Sequence, residues 1–204
     1  MTQTSPSSTT GFDLSLRQIP AFAQLSEAGE RRLREGTQLY RFRIGQNFCD
    51  GESLPAQVFV LLEGHARLLG SEAGKLITQA RLGPGSFIGL ASLLSAQACE
   101  AVTASDPAVA LSIPDELIVA LYSSEPSFRA WCDTTLWPSE LGSLLGRLRS
   151  DPELSGQSLP SLLQALVSQA RLLSPGAASD PQQLKALAEE HRLLLASANS
   201  EALL

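Results

Sequence analysis

The stretch LGPGSFIGLASLLSAQACEAVTAS, Leu82 to Ser105, decides how this chain is read. A Gly-Pro-Gly turn, an aromatic residue two positions before a glycine, and a short apolar run that suits a helix follow one another ahead of the next strand. Gly85 and Gly89 permit close backbone approach, and the N–H groups around Gly89 to Ala91 could face an anion at a helix start. The same residues also suit a plain strand-to-helix turn, and composition alone leaves both readings open.

Around this segment, from Thr37 to Pro114, the short runs QLYRFRI, QNFC, VFVLLEG, HARLLG, KLITQARLG and AVALSIP are punctuated by Gly45, Asp50-Gly51, Gly64, Gly70, Gly74, Gly83-Pro84-Gly85 and Asp106-Pro107. That spacing predicts a many-stranded sandwich or barrel. Before it, LSEAGERRLREG predicts a short helix that starts on a weak Ser26 cap and ends at Gly36. After it the period lengthens. Leu117, Ile118, Leu121 and Tyr122 share a face, and Phe128, Trp131, Cys132, Leu136, Leu141, Leu144, Leu145 and Leu148 continue through a helical region broken only by Pro138. SDPELSGQSLP reads as a linker, and two terminal helices are expected, Leu159 to Leu173 and Pro181 to about Leu195, separated by Ser174-Pro175-Gly176.

With 204 residues, 44% of them hydrophobic and 18% charged, and a mean hydropathy of +0.06, the chain is expected to bury a sizeable core. Fifteen Lys and Arg against 21 Asp and Glu give a net charge of -6, so no overall basic field gathers nucleic acid. Cys49, Cys99 and Cys132 lie far apart without a CxxC pair, which suits a reducing cytoplasm; Cys99 and Cys132 read as small buried apolar residues. MTQTSPSSTTGFDLS has neither a basic start nor an apolar core and reads as a disordered leader, and the apolar windows fall short of a membrane span.

Enzyme chemistry finds little footing. His65 and His191 are the two histidines, far apart in sequence, whereas a cupin metal site needs two or three converging on one ion. There is no GxSxG, and neither histidine has a nucleophile beside it. The expectation is no enzyme, no metal and no cofactor.

The order of IPAFAQLS, CDGES, VFVLLEGHARLL, LGPGSFIG with LASLL after it, and AVTASDPAVALSIPDELIVAL resembles the cyclic nucleotide-binding domain family. The resemblance spans about Ile19 to Arg149. It implies a mainly β fold, an eight-stranded jelly-roll β-barrel of cyclic-nucleotide-binding type with flanking helices, followed by C-terminal helices. The expected organisation is a leader at 1–18, the domain at 19–149, and a linker and helical tail at 150–204.

In that family a Glu directly after the aromatic-Gly pair accepts from the ribose hydroxyl, and an Arg about nine residues later pairs with the cyclic phosphate. Here those positions hold Leu90 and Cys99, and Glu100 adds a negative charge. Gly85, Phe87, Gly89, Leu90, Ala91 and Cys99 therefore form a degenerate ligand pocket. Charge-assisted contacts are worth about 1.5–3 kcal/mol each, so cAMP and cGMP are expected not to bind in the usual way. Arg67 and Arg81 are candidate relocated anion contacts, set against the alternative of solvated surface charge. Phe128, Trp131, Trp137, Leu141 and Leu145 are a candidate protein interface, set against packing on the barrel. If the domain dimerises, the helix from about Pro126 to Arg149 is the expected seam.

Residues 150–204 hold Arg171, Lys185 and Arg192 against Asp151, Glu153, Asp180, Glu189, Glu190 and Glu201. This acidic tail is unlike a DNA-reading winged helix, which carries a basic stripe. The whole chain also resembles the N-terminal cytosolic region of bacterial, notably cyanobacterial, ABC exporters that carry a peptidase. That resemblance implies a non-catalytic regulatory or assembly module, with the rest of a larger exporter or another protein as partner, a possible homodimer, no nucleic acid and no membrane insertion of these residues. It would sit in the cytoplasm, at the cytoplasmic face of the inner membrane. The alternative is a catabolite-activator-like transcription regulator without its DNA-binding domain.

Overall fold

Apolar and polar side chains alternate along short segments between Gln38 and Pro114, and in the computed structural model they form eight strands. The structure describes residues 16–72, 75–142 and, further on, 158, 160, 161, 163 and 164. The strands are β1 (Gln38–Phe42), β2 (Asn47–Asp50), β3 (Gln57–Glu63), β4 (Ala66–Glu72), β5 (Lys75–Leu82), β6 (Phe87–Ile88), β7 (Ala101–Ala104) and β8 (Ala108–Pro114). They pair antiparallel in two four-stranded sheets, β1-β8-β3-β6 and β2-β7-β4-β5. This is the double-sheet jelly roll the sequence led us to expect.

Between the sheets lie Phe48, Phe59, Leu61, Ala66, Leu68, Ile88, Val102, Ala104, Ala108 and Ala110, with Tyr40, Phe42, Cys49, Ala80 and Leu82 packed against them. Phe42 stacks on Phe48 with centroids 3.8 Å apart, and Phe59 meets both rings edge-on. Aromatic side chains therefore fill one end of the space between the sheets. The run Val58 to Leu61 is apolar at every position because β3 is covered on both faces. Phe59 and Leu61 face the other sheet, and Val58 and Val60, fully buried, face away from it.

The helices are α1 (Glu27–Gly36), α2 (Leu90–Leu94), α3 (Asp115–Ser124) and α4 (Pro126–Thr134). Ser26 caps α1, its hydroxyl accepting from Gly29 N at 3.0 Å. The helical region after β8 is broken earlier than its leucine pattern predicts. Glu125 is extended (φ -113°, ψ 99°), since a residue before proline is pushed out of the helical region, and Pro126 opens α4. Thr135 to Trp137 are again non-helical and 138–142 are helical, so Pro138 starts a helix and does not break one. The continuous Pro126–Arg149 seam is thus corrected to separate pieces, and 143–149 lie outside the described residues.

The chain divides into two compact units, Met1–Thr135 and Leu136–Leu204. In the second unit Pro160, Ser161, Leu163 and Gln164 are helical, within the first expected terminal helix. The second expected helix and the leader at 1–15 lie outside the described residues. Among the described residues no helix is long and apolar enough to cross a membrane.

Candidate functional site

The turn Gly83 to Ser86 is closed by Ser86 N donating to Gly83 O at 3.0 Å, with Pro84 second and Gly85 third at φ +88°. It is pinned to β3: Gly85 N donates to Leu61 O at 2.7 Å and Leu61 N donates to Ser86 O at 2.9 Å. β6 then runs into Gly89, whose φ of +89° turns the chain into α2. A Cβ at Gly89 would meet Pro55 Cγ at 3.2 Å, the Gln57 carbonyl at 3.3 Å and Cys49 Sγ at 3.4 Å, so this backbone lies tightly against the strands.

At the start of α2 a carboxylate is already in place. Glu100, 4% exposed, accepts from Ser92 N at 3.0 Å and from the Ser92 hydroxyl at 3.1 Å, both through Oε2. Burial pushes its carboxyl above the ordinary value, while the N–H groups of Ser92, Gly89 and Ala91 and the Ser92 hydroxyl favour the charged form. Ser92 Oγ in turn accepts from Cys99 N at 3.1 Å and lies 3.5 Å from Cys99 Sγ. The loop from α2 to β7 is thereby folded back on the helix start. Burial, with Glu100 nearby, pushes the Cys49 thiol up to about 12.

Residues 41–125 match the family model for the cyclic nucleotide-binding domain. This segment is thus similar to the cyclic nucleotide-binding domain, and its two four-stranded sheets have the jelly-roll fold of that type. Among solved structures, the regulatory subunit of a cAMP-independent protein kinase A from Trypanosoma cruzi bound to guanosine shares 15% identity, over 78% of this chain and 49% of its own, with a TM-score of 0.52. The regulatory domain of Toxoplasma gondii PKA with cAMP shares 18%, over 71% and 51%, at 0.50. The Thermus thermophilus catabolite activator protein shares 22%, over 88% and 91%, at 0.48. The chain thus spans about half the length of the two kinase chains, and the likeness is one of fold. No curated protein matches the chain.

In the cassette Gly85, Phe87, Gly89, Leu90 and Ala91 follow one another along the turn, β6 and α2, and Cys99 is tied to α2 through Ser92. Leu90 and Ala91 are fully buried and Phe87 nearly so. Cys99 is half-buried, more open than its reading as a core residue, and Cys132 is buried. Arg67 and Arg81 are not brought to the cassette. They face each other across β4 and β5 with exposed side chains, between neighbours Ala66, Leu68, Ala80 and Leu82 that pack inward.

The aromatic residues expected at an interface divide. Phe128 is fully buried, stacked on Phe22 at 5.8 Å, and Trp131 packs against Phe87 at 4.9 Å. Phe128 thereby seats α4 against the Pro20–Phe22 turn, and the half-buried Trp131 packs on β6, as in the packing alternative. Trp137 and Leu141 are half-buried in the second unit, and Leu145 lies outside the described residues. What the sequence reading missed is the Ser92–Glu100 pairing. Glu100 stood out as an unfavourable charge, but only the fold shows that the loop returns it to the helix start eight residues away.

Proposed function

We propose that this chain is a non-catalytic regulatory or assembly module in which the cassette is closed by its own side chains, so that cAMP and cGMP do not bind. The observation that carries this reading is the Glu100 carboxylate on Ser92 N and Oγ. A cyclic phosphate brought there would displace a buried carboxylate and meet neither a ribose-binding Glu at 90 nor an Arg at 99. A kinase regulatory subunit described as cAMP-independent and guanosine-bound is consistent with a fold of this type working without cAMP.

The sequence resemblance supports a place at the N-terminal cytosolic end of an ABC-type peptide or protein exporter. The partner is then the rest of that exporter, at the cytoplasmic face of the inner membrane. The second reading, a catabolite-activator-like regulator without its DNA reader, has the fold in its favour and the acidic residues 150–204 against it. The coding sequence flanking these residues separates the two: membrane spans and a Walker A motif there support the exporter, and their absence supports the regulator. The loss of nucleotide binding is tested by titration calorimetry against cAMP, cGMP and cyclic dinucleotides. No saturable heat at millimolar ligand is expected, and micromolar binding overturns the proposal.

A further inference from the structure

We propose a second anion site, separate from the cassette, on the outer face of the β2-β7-β4-β5 sheet, where Arg67 and Arg81 clasp the phosphoryl group of a phosphomonoester. The register lays one row across all four strands: Asn47 opposite Thr103, Thr103 opposite Arg67, and Arg67 opposite Arg81. Neither arginine makes an ion pair among the described residues, and both are exposed. Like charges directly opposite on one face destabilise a sheet, and in a chain of net charge -6 this pair stands where an acidic partner residue would have been easy to place.

The surroundings keep the pair available. Thr103 is engaged sideways, its hydroxyl donating to Asn47 Oδ1 at 2.7 Å. Asp106 is the carboxylate whose field reaches Arg81, yet both its oxygens are taken by His65, one by the backbone N–H and one by Nδ1 at 2.9 Å. With Nδ1 held, the other edge of the His65 ring turns toward Gly83, which has no side chain to cover it. Ser105, whose N–H donates to His65 O at 2.9 Å, holds a buried hydroxyl without a hydrogen-bond partner at the same end of the sheet. Two guanidinium forks side by side match the several oxygens of a phosphoryl group, which removes their mutual repulsion and adds charge-assisted hydrogen bonds.

The test follows backbone amide resonances of the isotope-labelled full chain during titration with inorganic phosphate at constant ionic strength. Saturable shifts centred on Arg67, Thr103 and Arg81 are expected, weakened at least tenfold in Arg67→Ala and in Arg81→Ala. Arg81→Lys, which keeps the charge and loses the fork, should fall between. Both alanine variants remove a repulsion and should keep or raise the melting temperature without phosphate, which controls for folding. Sedimentation with phosphatidic acid vesicles separates the sources: retention that depends on both arginines assigns a lipid headgroup, and phosphate binding without retention assigns a soluble phosphomonoester. Shifts that do not saturate, or binding that survives both alanine substitutions, would overturn the site.

Discussion

Glu125 caps a helix that begins ninety-nine residues earlier: it accepts from Ser26 N at 3.0 Å and from the Ser26 hydroxyl at 2.7 Å. In a local capping box the residue three after the cap returns a carboxylate to the cap's N–H. Here that position is Gly29, and the carboxylate comes from the junction of α3 and α4 instead. A Cβ on Gly29 would lie 2.7 Å from Glu125 Cδ and closer still to Oε1. The missing side chain is the space the distant carboxylate needs. Arg32 approaches the same oxygen at 3.4 Å.

Gly29→Ala should therefore destabilise the protein, although Gly to Ala in a helix ordinarily gains up to about 1 kcal/mol. Two hydrogen bonds to a charged acceptor are displaced, each worth about 1.5–3 kcal/mol, which less the helix gain leaves a net loss of roughly 2–5 kcal/mol. In a Glu125→Ala background the same substitution should become stabilising. Chemical denaturation of the four proteins reads the sign, and a Gly29→Ala change that stabilises both backgrounds contradicts the account.

The two buried carboxylates should titrate in opposite senses. Hydrogen bonds from Ser26 hold Glu125 below its ordinary 4.5, so its contribution is present above that value and is lost as pH falls through the folded value. Burial holds Glu100 above 4.5, so its contribution is full below 4.5 and declines as pH rises through the folded value. Melting temperatures across the carboxylate range should show wild type losing its advantage over Glu125→Gln on acidification, and gaining on Glu100→Gln. Parallel curves for the two variants would contradict this.

These pairings show where sequence reading stops. Six of the eight strands, all but β6 and β7, could be read as runs between glycine and proline punctuation, because a half-buried strand imposes a period of two. The two-residue β6 was too short to carry a period and read as part of the turn. The break at Glu125 was signalled by Pro126 but overshadowed by the apolar face of α3 and α4. At the cassette, the absences at Leu90 and Cys99 were legible one residue at a time. Glu100 on Ser92 and Glu125 on Ser26 were not, since both depend on chain segments that only the assembled sheets bring together.

The two glycines of the cassette should respond unequally. Both have positive φ, so an alanine at either costs about 1–2 kcal/mol in backbone strain. At Gly85 nothing lies within 4 Å of the added carbon, whereas at Gly89 it meets Pro55, the Gln57 carbonyl and Cys49. Denaturation should rank Gly89→Ala well below Gly85→Ala in stability, and equal losses would show that the Gly89 backbone is not pressed against the strands.

Thiol chemistry gives an independent probe. Burial pushes Cys49 and Cys132 up to about 12, so neither forms much thiolate at neutral pH. Mass spectrometry after brief alkylation of the native chain should show both unmodified, with all three cysteines modified in urea. Rapid native labelling of Cys49 would mean that the cassette opens far more readily than its packing implies.

The most direct test of the central claim is to follow the amide resonances of Gly89, Ala91 and Ser92 while cAMP is added to the full chain at neutral pH. The account predicts that they stay in place at millimolar cAMP, because Glu100 already occupies those donors. Saturable movement of the same resonances at micromolar cAMP would show that the nucleotide displaces Glu100, and would contradict it.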